Sequence, residues 1–304
     1  MIYTLTLSPS IDYMVKLDHE FQTGKINRIS EESYAYGGKG VNVSQVLKSL
    51  DVETTALGFT AGFTGEEIES GLNKKGVLTD FVHLKEGHSR INLKIRTSEE
   101  TELNAIGPGV PDSAMVEMFE KIREIGKDDM LVIAGTVPRH MPSDIYARFI
   151  EQLSSEETRI VVDTTGENFI NALPYHPFLV KPNHDELSQL LGEVISPFDK
   201  EAVISGAKRL KERGARNVLV SMASQGALLL TEDDRVISRE APNGNVRNSV
   251  GSGDAMVAGF IAGYLESGSL EDAFYMGLAA GSATAFMEGL AGGQEIRELY
   301  RFIR

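Results

Sequence analysis

The sequence predicts an α/β protein with a mainly parallel sheet, helices on both faces of that sheet, and a small β lid. The first observation is that, after residue 108, short apolar runs alternate with amphipathic segments, as in strand–helix–strand units. The second is that residues 10–37 and 86–106 break this rhythm and contain strand-like alternation of apolar and polar residues. The third is that no repeat or Pro/Ser-rich linker separates two halves, which favours an inserted lid over tandem domains.

Individual elements follow from these patterns. Apolar runs rich in β-branched residues predict strands at residues 130–134, 159–163, 178–181 and 217–221. Amphipathic segments predict helices at about residues 113–126, 143–154, 184–191 and 199–213. Each predicted strand is followed by a polar or glycine-containing turn, and ligands of open α/β sheets bind at the carboxyl ends of the strands. We therefore expect the functional site along that edge.

The lid is predicted to be discontinuous in sequence. Its two pieces, residues 10–37 and 86–106, flank the helix that begins near Gly40. The remaining residues, 1–9, 38–85 and 107–304, are expected to form a single core domain that binds nucleotide and substrate.

Composition excludes several classes of protein. The chain has no cysteine, which rules out disulfides, a thiol nucleophile and Cys-ligated metals, and which agrees with a reducing compartment. Its 30 Lys and Arg against 44 Asp and Glu give a net charge of -14, so nucleic acid is not an expected partner. The longest apolar run, residues 255–265, falls short of the roughly 20 residues of a membrane span, and we expect a cytoplasmic protein.

Two glycine-rich turns are candidates for anion binding. Gly251, Ser252, Gly253 and Asp254 stand directly before the apolar helix, where backbone N–H groups and the helix dipole favour a ligand oxygen. The same pattern is also that of an ordinary acidic N-terminal turn. Near the other end of the chain, residues 37–40 place three glycines around Lys39, which permits close backbone approach to a ligand or forms a plain strand-to-helix turn. Neither a P-loop nor a Rossmann glycine motif is present.

Taken together, the motifs resemble those of the ribokinase-like carbohydrate kinases, in the phosphofructokinase B branch, over essentially the whole chain. The resemblance is carried by five segments in order, at residues 6–12, 37–43, 181–186, 221–226 and 251–254. Ser8, Ala223 and Ser252 depart from the usual Asn, Gly and Ala, without loss of a charged group. The resemblance implies the three-layer α/β/α fold of that family with its β lid.

The resemblance also implies the catalytic and nucleotide residues. Asp254 takes the proton of the acceptor hydroxyl, and the amides of Gly251, Ser252, Gly253 and Asp254 hold the transferring phosphoryl group of ATP. Asn183 and Glu186 support Mg²⁺ through water, although the same spacing is that of a helix capping box. The residues implied to lie against ATP are Lys181, Asn183, Ser221, Ser224, Gly226 and Gly253.

On the acceptor side, the resemblance places Asp12 and Asn42 on sugar hydroxyls. Lys39 and Arg90, with Arg28 as a third, are candidates for a phosphate already on the substrate, since a protein of net charge -14 needs local cations for a dianion. Asn92 and Asn104 are expected on adjacent lid strands facing the sugar, where side-chain amides both donate and accept. The predicted acceptor-site residues are Asp12, Arg28, Gly37, Gly38, Lys39, Asn42, Arg90, Asn92 and Asn104.

The lid segments decide the expected substrate. Residues 89–94 and 101–108 are similar to those of the branch that phosphorylates fructose 1-phosphate at O6 with Mg·ATP, giving fructose 1,6-bisphosphate. Two alternatives stay open at this point, a tagatose-6-phosphate kinase and a catalytically silent sugar-phosphate sensor on the same fold. A homodimer that pairs through the lid is also consistent with the sequence, as is a monomer with a covered edge.

Overall fold

The computed structural model describes residues 1–138 and 141–304. The strands are β1 (Ile2–Thr6), β2 (Ser10–Lys16), β3 (Glu31–Gly37), β4 (Thr54–Ala61), β5 (Leu78–Thr79), β6 (Val82–Leu84), β7 (Arg90–Arg96), β8 (Glu100–Leu103), β9 (Met130–Ala134), β10 (Arg159–Asp163), β11 (Leu179–Val180), β12 (Asn217–Ser221), β13 (Ala227–Leu230) and β14 (Val236–Arg239). The helices are α1 (Lys39–Ser49), α2 (Gly62–Lys74), α3 (Asp112–Arg123), α4 (Ile145–Ile150), α5 (Gly166–Ala172), α6 (His184–Leu191), α7 (Lys200–Glu212), α8 (Ser252–Ser267), α9 (Leu270–Ala285) and α10 (Gly293–Ile303). Short 3₁₀ turns lie at Leu173–Tyr175 and Ala223–Gln225.

Ten strands form the core sheet, which is mainly parallel. Its order is β14-β13-β12-β11-β10-β9-β1-β4-β5, with β6 paired to β4 beside that path. Strands β1, β4, β9, β10, β11 and β12 run parallel, and the hairpin partners β13 and β14 close one edge in antiparallel pairing. The chain leaves β1 toward β4 on one side and returns to β9 on the other, so a topological switch point lies at β1.

Strand β9 illustrates why this sheet is covered on both faces. Leu131 and Ile133 pack into one apolar cluster, whereas Met130, Val132 and Ala134 pack into the other, and all five side chains are buried. Because successive side chains of a strand point to opposite faces, the continuous apolar run requires a helical layer on each side. The predicted three-layer α/β/α architecture is confirmed.

The core elements agree closely with those predicted from the sequence. Strands β9, β10 and β12 have the predicted bounds, and so does α6. Strand β11 is shorter than the predicted 178–181, because Pro182 offers no N–H and the pairing with β10 ends after the Lys181 amide donates to the Val162 carbonyl. On the β12 side only an isolated parallel bridge between Asn183 and Ser221 follows. Helix α4 is likewise shorter than the predicted 143–154.

Helix α8 begins at the glycine-rich turn and forms the centre of one helical layer. It packs closely on α9, where an added Cβ at Gly259 would stand 2.5 Å from the Met276 carbonyl oxygen. Its apolar sequence is therefore explained by burial of residues 254–263, which include the contact with α9. Within residues 1–138 and 141–304, no helix combines the length and the apolar character required to traverse a lipid bilayer.

The lid is a separate sheet of four strands in the order β3-β2-β7-β8. Strands β2 and β7 run parallel with Asp12 opposite Asn92, and the outer strands pair antiparallel to them. A second, smaller sheet built from two distant segments is thus confirmed. We propose that residues 10–37 and 86–106 are the limits of the lid, and this strand pairing supports them.

Candidate active site

The lid covers the carboxyl ends of the central core strands and encloses a cavity of about 1020 Å³. The core supplies the ends of β1, β9, β11 and β12 together with the first turns of α1, α6 and α8. The lid supplies one face of β2, β7 and β8. The cavity therefore lies where the topology predicts a ligand site, at the switch point of the sheet.

Asp254 lies in the first turn of α8, at the bottom of the cavity. Gly251 precedes the helix with φ 79°, a left-handed conformation that glycine adopts without strain. The Asp254 carboxylate is 6% exposed, and its Oδ2 accepts a 2.8 Å hydrogen bond from the Asn42 side-chain amide. Asn42 is on α1, so the two predicted glycine turns meet at one carboxylate.

The second turn brings α1 against β1. The Val41 amide donates to Thr6 Oγ1 at 3.0 Å, and a Cβ at Gly40 would lie 2.6 Å from that same oxygen. Gly38 has φ 115°, a value that L side chains rarely adopt. These glycines are needed for the close approach, and they place Lys39 as the first residue of the helix.

Two lysines share one buried carboxylate beside the turn of α8. Asp163, the last residue of β10, is fully buried, and its Oδ1 lies 2.9 Å from Lys39 Nζ and 3.4 Å from Lys181 Nζ. An added Cβ at Gly253 would stand 3.1 Å from Lys181 Nζ, so this ammonium lies against the turn. The three side chains form a cationic group at the bottom of the cavity.

Burial makes Asp254 a proton acceptor near neutral pH. Burial raises the pKa of Asp254 to about 6, with a further increase from the charge of Asp163, while Lys39, Asn42 and Lys181 act in the opposite direction. Burial would also raise the pKa of Asp163, but the charges of Lys181 and Lys39 outweigh it and the pKa is lowered. Asp163 stays charged while Asp254 titrates.

A pH dependence follows from the raised pKa of Asp254. A general base must be ionised, so we expect kcat/KM of the sugar substrate to fall as pH decreases through about 6, by roughly tenfold per pH unit below that value. The measurement is a pH profile of kcat/KM from pH 4.5 to 8, with unfolding followed at each pH. A flat profile down to pH 5 would contradict the role of Asp254 as the base.

The lid presents a second carboxylate to the cavity. Asp12 Oδ1 accepts hydrogen bonds of 2.8 Å from both the Ser10 hydroxyl and the Asn92 amide. Gly37 lies directly behind it, where a Cβ would stand 2.5 Å from Asp12 Oδ2. The Asn92 Oδ1 in turn accepts from the Ala105 amide at 3.2 Å, which fixes the orientation of the side chain. The Asp12 carboxylate is thus held in a fixed orientation, and it lines the cavity, where it can accept hydrogen bonds from a ligand.

Arg90 is the cation of the lid wall. Its guanidinium donates two hydrogen bonds to the Ser8 carbonyl oxygen, at 3.1 Å from Nε and 2.6 Å from Nη2, and burial lowers its pKa. Asn104, one residue beyond β8, also lines the cavity and donates to Glu102 at 3.3 Å. Glu102 forms an ion pair of 3.1 Å with the buried Lys94. On this side of the cavity, Arg90 can bind an anion, and the nearby carboxylate and amide side chains can bind hydroxyl groups.

The pair Asn183 and Glu186 forms the capping box that their spacing allows. Asn183 Oδ1 accepts from the Glu186 amide at 2.7 Å, and Glu186 Oε2 accepts from the Asn183 amide at 2.8 Å. The other oxygen of Glu186, Oε1, is not used by the cap and lies 3.9 Å from Lys39 Nζ. One carboxylate oxygen is therefore left to act on a ligand in the cavity.

The turn after β12, predicted to lie against ATP, forms another side of the cavity. Ser221, Ser224 and Gly226 line it, and Ala223 adopts φ 49°. An L side chain costs about 1–2 kcal/mol in that left-handed conformation, which favours the glycine that the resemblance leads one to expect at position 223. Phe286 at the end of α9 also lines this side.

A model of the family described as pfkB family carbohydrate kinase matches residues 5–297. The chain belongs to this family. It is 43% identical over 299 residues to the 1-phosphofructokinase of Bacillus subtilis (strain 168), covering 98% of this chain and 97% of the relative. It is 38% identical over 290 residues to the D-tagatose-1-phosphate kinase of Bacillus licheniformis, covering 95% and 94%.

Solved structures agree with this assignment. The phosphofructokinase-2 of Escherichia coli, in complex with substrates and products, superposes with a TM-score of 0.92 at 29% identity and covers 99% of both chains. The ribokinase-like fold inferred from the motifs is thereby confirmed, and so is the resemblance to the phosphofructokinase B branch.

As a pfkB kinase, the chain brings most of the predicted site residues into one cavity. Two of them do not line it. Arg28 is exposed in the segment between β2 and β3, and Gly37 acts from behind Asp12. Lys39 lines the cavity and its ammonium donates to Asp163 Oδ1 at 2.9 Å, and its assignment to a phosphate already on the substrate stays a prediction. Asp163 was missed, although its place at the end of a predicted strand was a usable signal.

Proposed function

We propose that the protein transfers the γ-phosphoryl group of ATP to O6 of fructose 1-phosphate and releases fructose 1,6-bisphosphate. The observation that carries the proposal is the buried Asp254 at the start of α8, opposite a lid wall with a carboxylate, amides and one cation. Membership of the pfkB family and the names of the relatives agree with it. A sugar phosphate placed between Asp254 and the lid wall would have its acceptor hydroxyl at Asp254 and its phosphate at the lid.

In the proposed reaction, Asp254 takes the proton of O6 as that oxygen attacks the γ-phosphorus. Asn42 holds the carboxylate in orientation through its 2.8 Å hydrogen bond. The amides at the start of α8 and the helix dipole stabilise charge on the transferring group. Lys39 and Lys181 add positive charge beside that turn, which supports a place for Lys39 at the transferring group rather than at the sugar's existing phosphate.

Recognition of the acceptor is assigned to the lid. Asp12 accepts hydrogen bonds from sugar hydroxyls, and Asn92 and Asn104 offer amides beside it. Arg90, already directed by the Ser8 carbonyl, is the cation placed to bind the 1-phosphate. Fructose 1-phosphate and tagatose 1-phosphate differ only in configuration at C4. To discriminate between them, these side chains must distinguish the orientation of the C4 hydroxyl.

Mg²⁺ is proposed to enter with the phosphates of ATP. In the two described ranges, no three His, Asp or Glu side chains are grouped to hold a metal ion on their own. This fits a cation that keeps several waters and is bound mainly by substrate phosphates. Glu186 Oε1, left free by the capping box, and Asn183 are the residues that would hold such water, and the ion would neutralise charge on the phosphates.

Glu186→Gln tests the metal role separately from the capping role. Gln still accepts a hydrogen bond at the cap, so α6 is kept, but the charge that orients metal-bound water is lost. We expect the Mg²⁺ concentration for half-maximal activity to rise severalfold, measured by titration at saturating ATP and sugar. Asp199→Asn, at the cap of α7 and outside the cavity, is the matched control. An unchanged titration would leave Glu186 with the capping role alone.

The experiment for the proposed function is a comparison of kcat/KM with Mg·ATP for five acceptors. These are fructose 1-phosphate, tagatose 1-phosphate, tagatose 6-phosphate, fructose 6-phosphate and ribose. We expect the highest value for fructose 1-phosphate, with the new phosphate at O6 located by NMR of the product. A higher kcat/KM for either tagatose phosphate would contradict the assignment of fructose 1-phosphate as the substrate, but not the proposed kinase activity.

A silent sugar-phosphate sensor is the alternative from another class. A sensor has no need of a base aimed at a hydroxyl, and Asp254 with its raised pKa argues against it. Single-turnover mixing with radiolabelled ATP separates the two functions. Tight sugar binding without transfer of label would favour the sensor.

We further propose a homodimer formed through the lid. Its strands and the segment after them carry large exposed apolar side chains, at Tyr34, Ile91, Leu103 and Ile106. Such a surface on a sheet with two open edges is typical of an interface. Sedimentation at micromolar concentration is expected to give a dimer, and Ile91→Glu combined with Leu103→Glu a monomer. A monomeric wild type contradicts the proposal.

A further inference from the structure

Asp163 is a fully buried carboxylate that does not line the cavity. It ends β10, the strand next to β9 in the middle of the sheet, and its backbone carbonyl accepts a 3.0 Å hydrogen bond from the Gly135 amide. A charge in such a place is costly unless it is paired. Asp163 is paired twice, with Lys39 from α1 and with Lys181 from the end of β11.

The pairing is asymmetric. Both lysines contact the same oxygen, Oδ1, at 2.9 and 3.4 Å, whereas the buried Oδ2 has no hydrogen-bond partner in the described part of the chain. Two ammonium groups this close repel each other unless a negative charge lies between them. The carboxylate therefore permits two cations from distant elements to stand side by side.

The two lysines differ in what they face. The Lys181 ammonium lies against the turn of α8, as the 3.1 Å separation from a Cβ at Gly253 indicates. The Lys39 ammonium lies 3.9 Å from Glu186 Oε1, and its side chain is 32% exposed toward the cavity. Together they place two positive charges beside the start of α8, and the carboxylates that act on Lys39 are those of Asp163, Asp254 and Glu186.

We infer that Asp163 is a positioning residue that holds Lys39 and Lys181 as a pair of cations on the phosphoryl group in transfer. This inference rests on the proposed kinase function, and Asp163 acts through the lysines without contact with a substrate. The charged groups that act on Asp254 are Asp163, Lys39 and Lys181, so the Asp163 charge adds to the increase in the Asp254 pKa that burial causes.

Asp163→Asn is the first test, because it keeps the shape of the side chain and removes the charge. We expect kcat to fall at least tenfold and the KM for ATP to rise about tenfold, with a smaller change in the KM for the sugar. The acid limb of the kcat/KM profile should move to lower pH, since the charge of Asp163 no longer raises the pKa of Asp254. A purely structural residue would lower the melting temperature without moving that limb.

Asp129→Asn is the control, because Asp129 is also an ion-paired carboxylate, held by the N-terminal ammonium at 2.7 Å far from the cavity. It is expected to leave kcat, both KM values and the pH profile unchanged. Near-wild-type kcat and ATP KM for Asp163→Asn, with an unmoved acid limb, would overturn the inference. If the wild type itself transfers no phosphoryl group, the proposed function fails instead.

The double variant Asp163→Asn/Lys39→Met covers the case in which the single variant does not fold. It removes one repelling ammonium along with the charge between them, so the fold should be recovered. Because Asp163 also holds Lys181, we expect its kcat to fall below that of Lys39→Met by no more than Lys181→Met falls below the wild type. A tenfold larger loss means that Asp163 acts independently of the two lysines, and the inference fails.

Discussion

Asp254→Asn is expected to lower kcat by about 10²–10⁴ with little change in either KM, the usual scale for loss of a general base. The asparagine still accepts the hydrogen bond from Asn42 through its Oδ1, so the first turn of α8 is preserved. What is lost is the capacity to take the proton of O6. The measurement is steady-state kinetics with fructose 1-phosphate and Mg·ATP, alongside thermal unfolding.

The matched control for this variant is Asp112→Asn. Asp112 is likewise an acidic residue in the first turn of a helix, α3, but it lies outside the cavity. Its kcat is expected to equal that of the wild type. A kcat above half of the wild-type value for Asp254→Asn would remove this residue from the reaction.

Arg90→Ala is expected to raise the KM for the sugar phosphate by about 10–100-fold while the KM for ATP changes much less. The variant loses a charge-assisted contact with a dianion, which costs on the order of 1.5–3 kcal/mol. Arg90 is also the lid side chain that reaches the Ser8 carbonyl, so part of the effect comes from a looser lid.

Arg96→Ala is the control for Arg90→Ala, because it removes a positive charge from the lid without removing one from the cavity. Arg96 ends the same strand, but it pairs with Glu100 at 3.1 Å and does not line the cavity. Its sugar KM should stay near the wild-type value. Equal increases in the KM for sugar and ATP in Arg90→Ala would move this residue away from the acceptor's phosphate.

The strands of the core sheet could be predicted because a buried parallel strand is a short, continuous run of apolar residues that is visible in the sequence itself. Strand β9 is five consecutive apolar residues bounded by polar turns, and its bounds came out as predicted. Strand β11 was overestimated, since the sequence marks where apolar residues end and not where a neighbouring strand stops pairing. The lid was recognisable from alternation, but the parallel pairing of β2 with β7 joins residues about 80 positions apart and has no local signature.

The site was predictable in part. The glycine turns identified Asp254 and Lys39 because their chemistry requires backbone that only glycine permits. Asp163 was missed although it ends a predicted strand, because its ion pair with a lysine 124 positions away leaves no mark on the local sequence. The sequence could not separate metal support from capping at Glu186, since both use the same spacing, and the structure contains the cap.

The parallel pairing of β2 with β7 has a consequence for the order of folding. The two strands are separated by α1, β4 and α2, so the chain must close a long loop before Asp12 can meet Asn92. Closing a long loop costs conformational entropy, which is offset only by contacts that form later. Such strand pairings are therefore expected to form late in folding and to be lost early in unfolding. The lid surface proposed to bind the sugar is therefore expected to form after the core sheet.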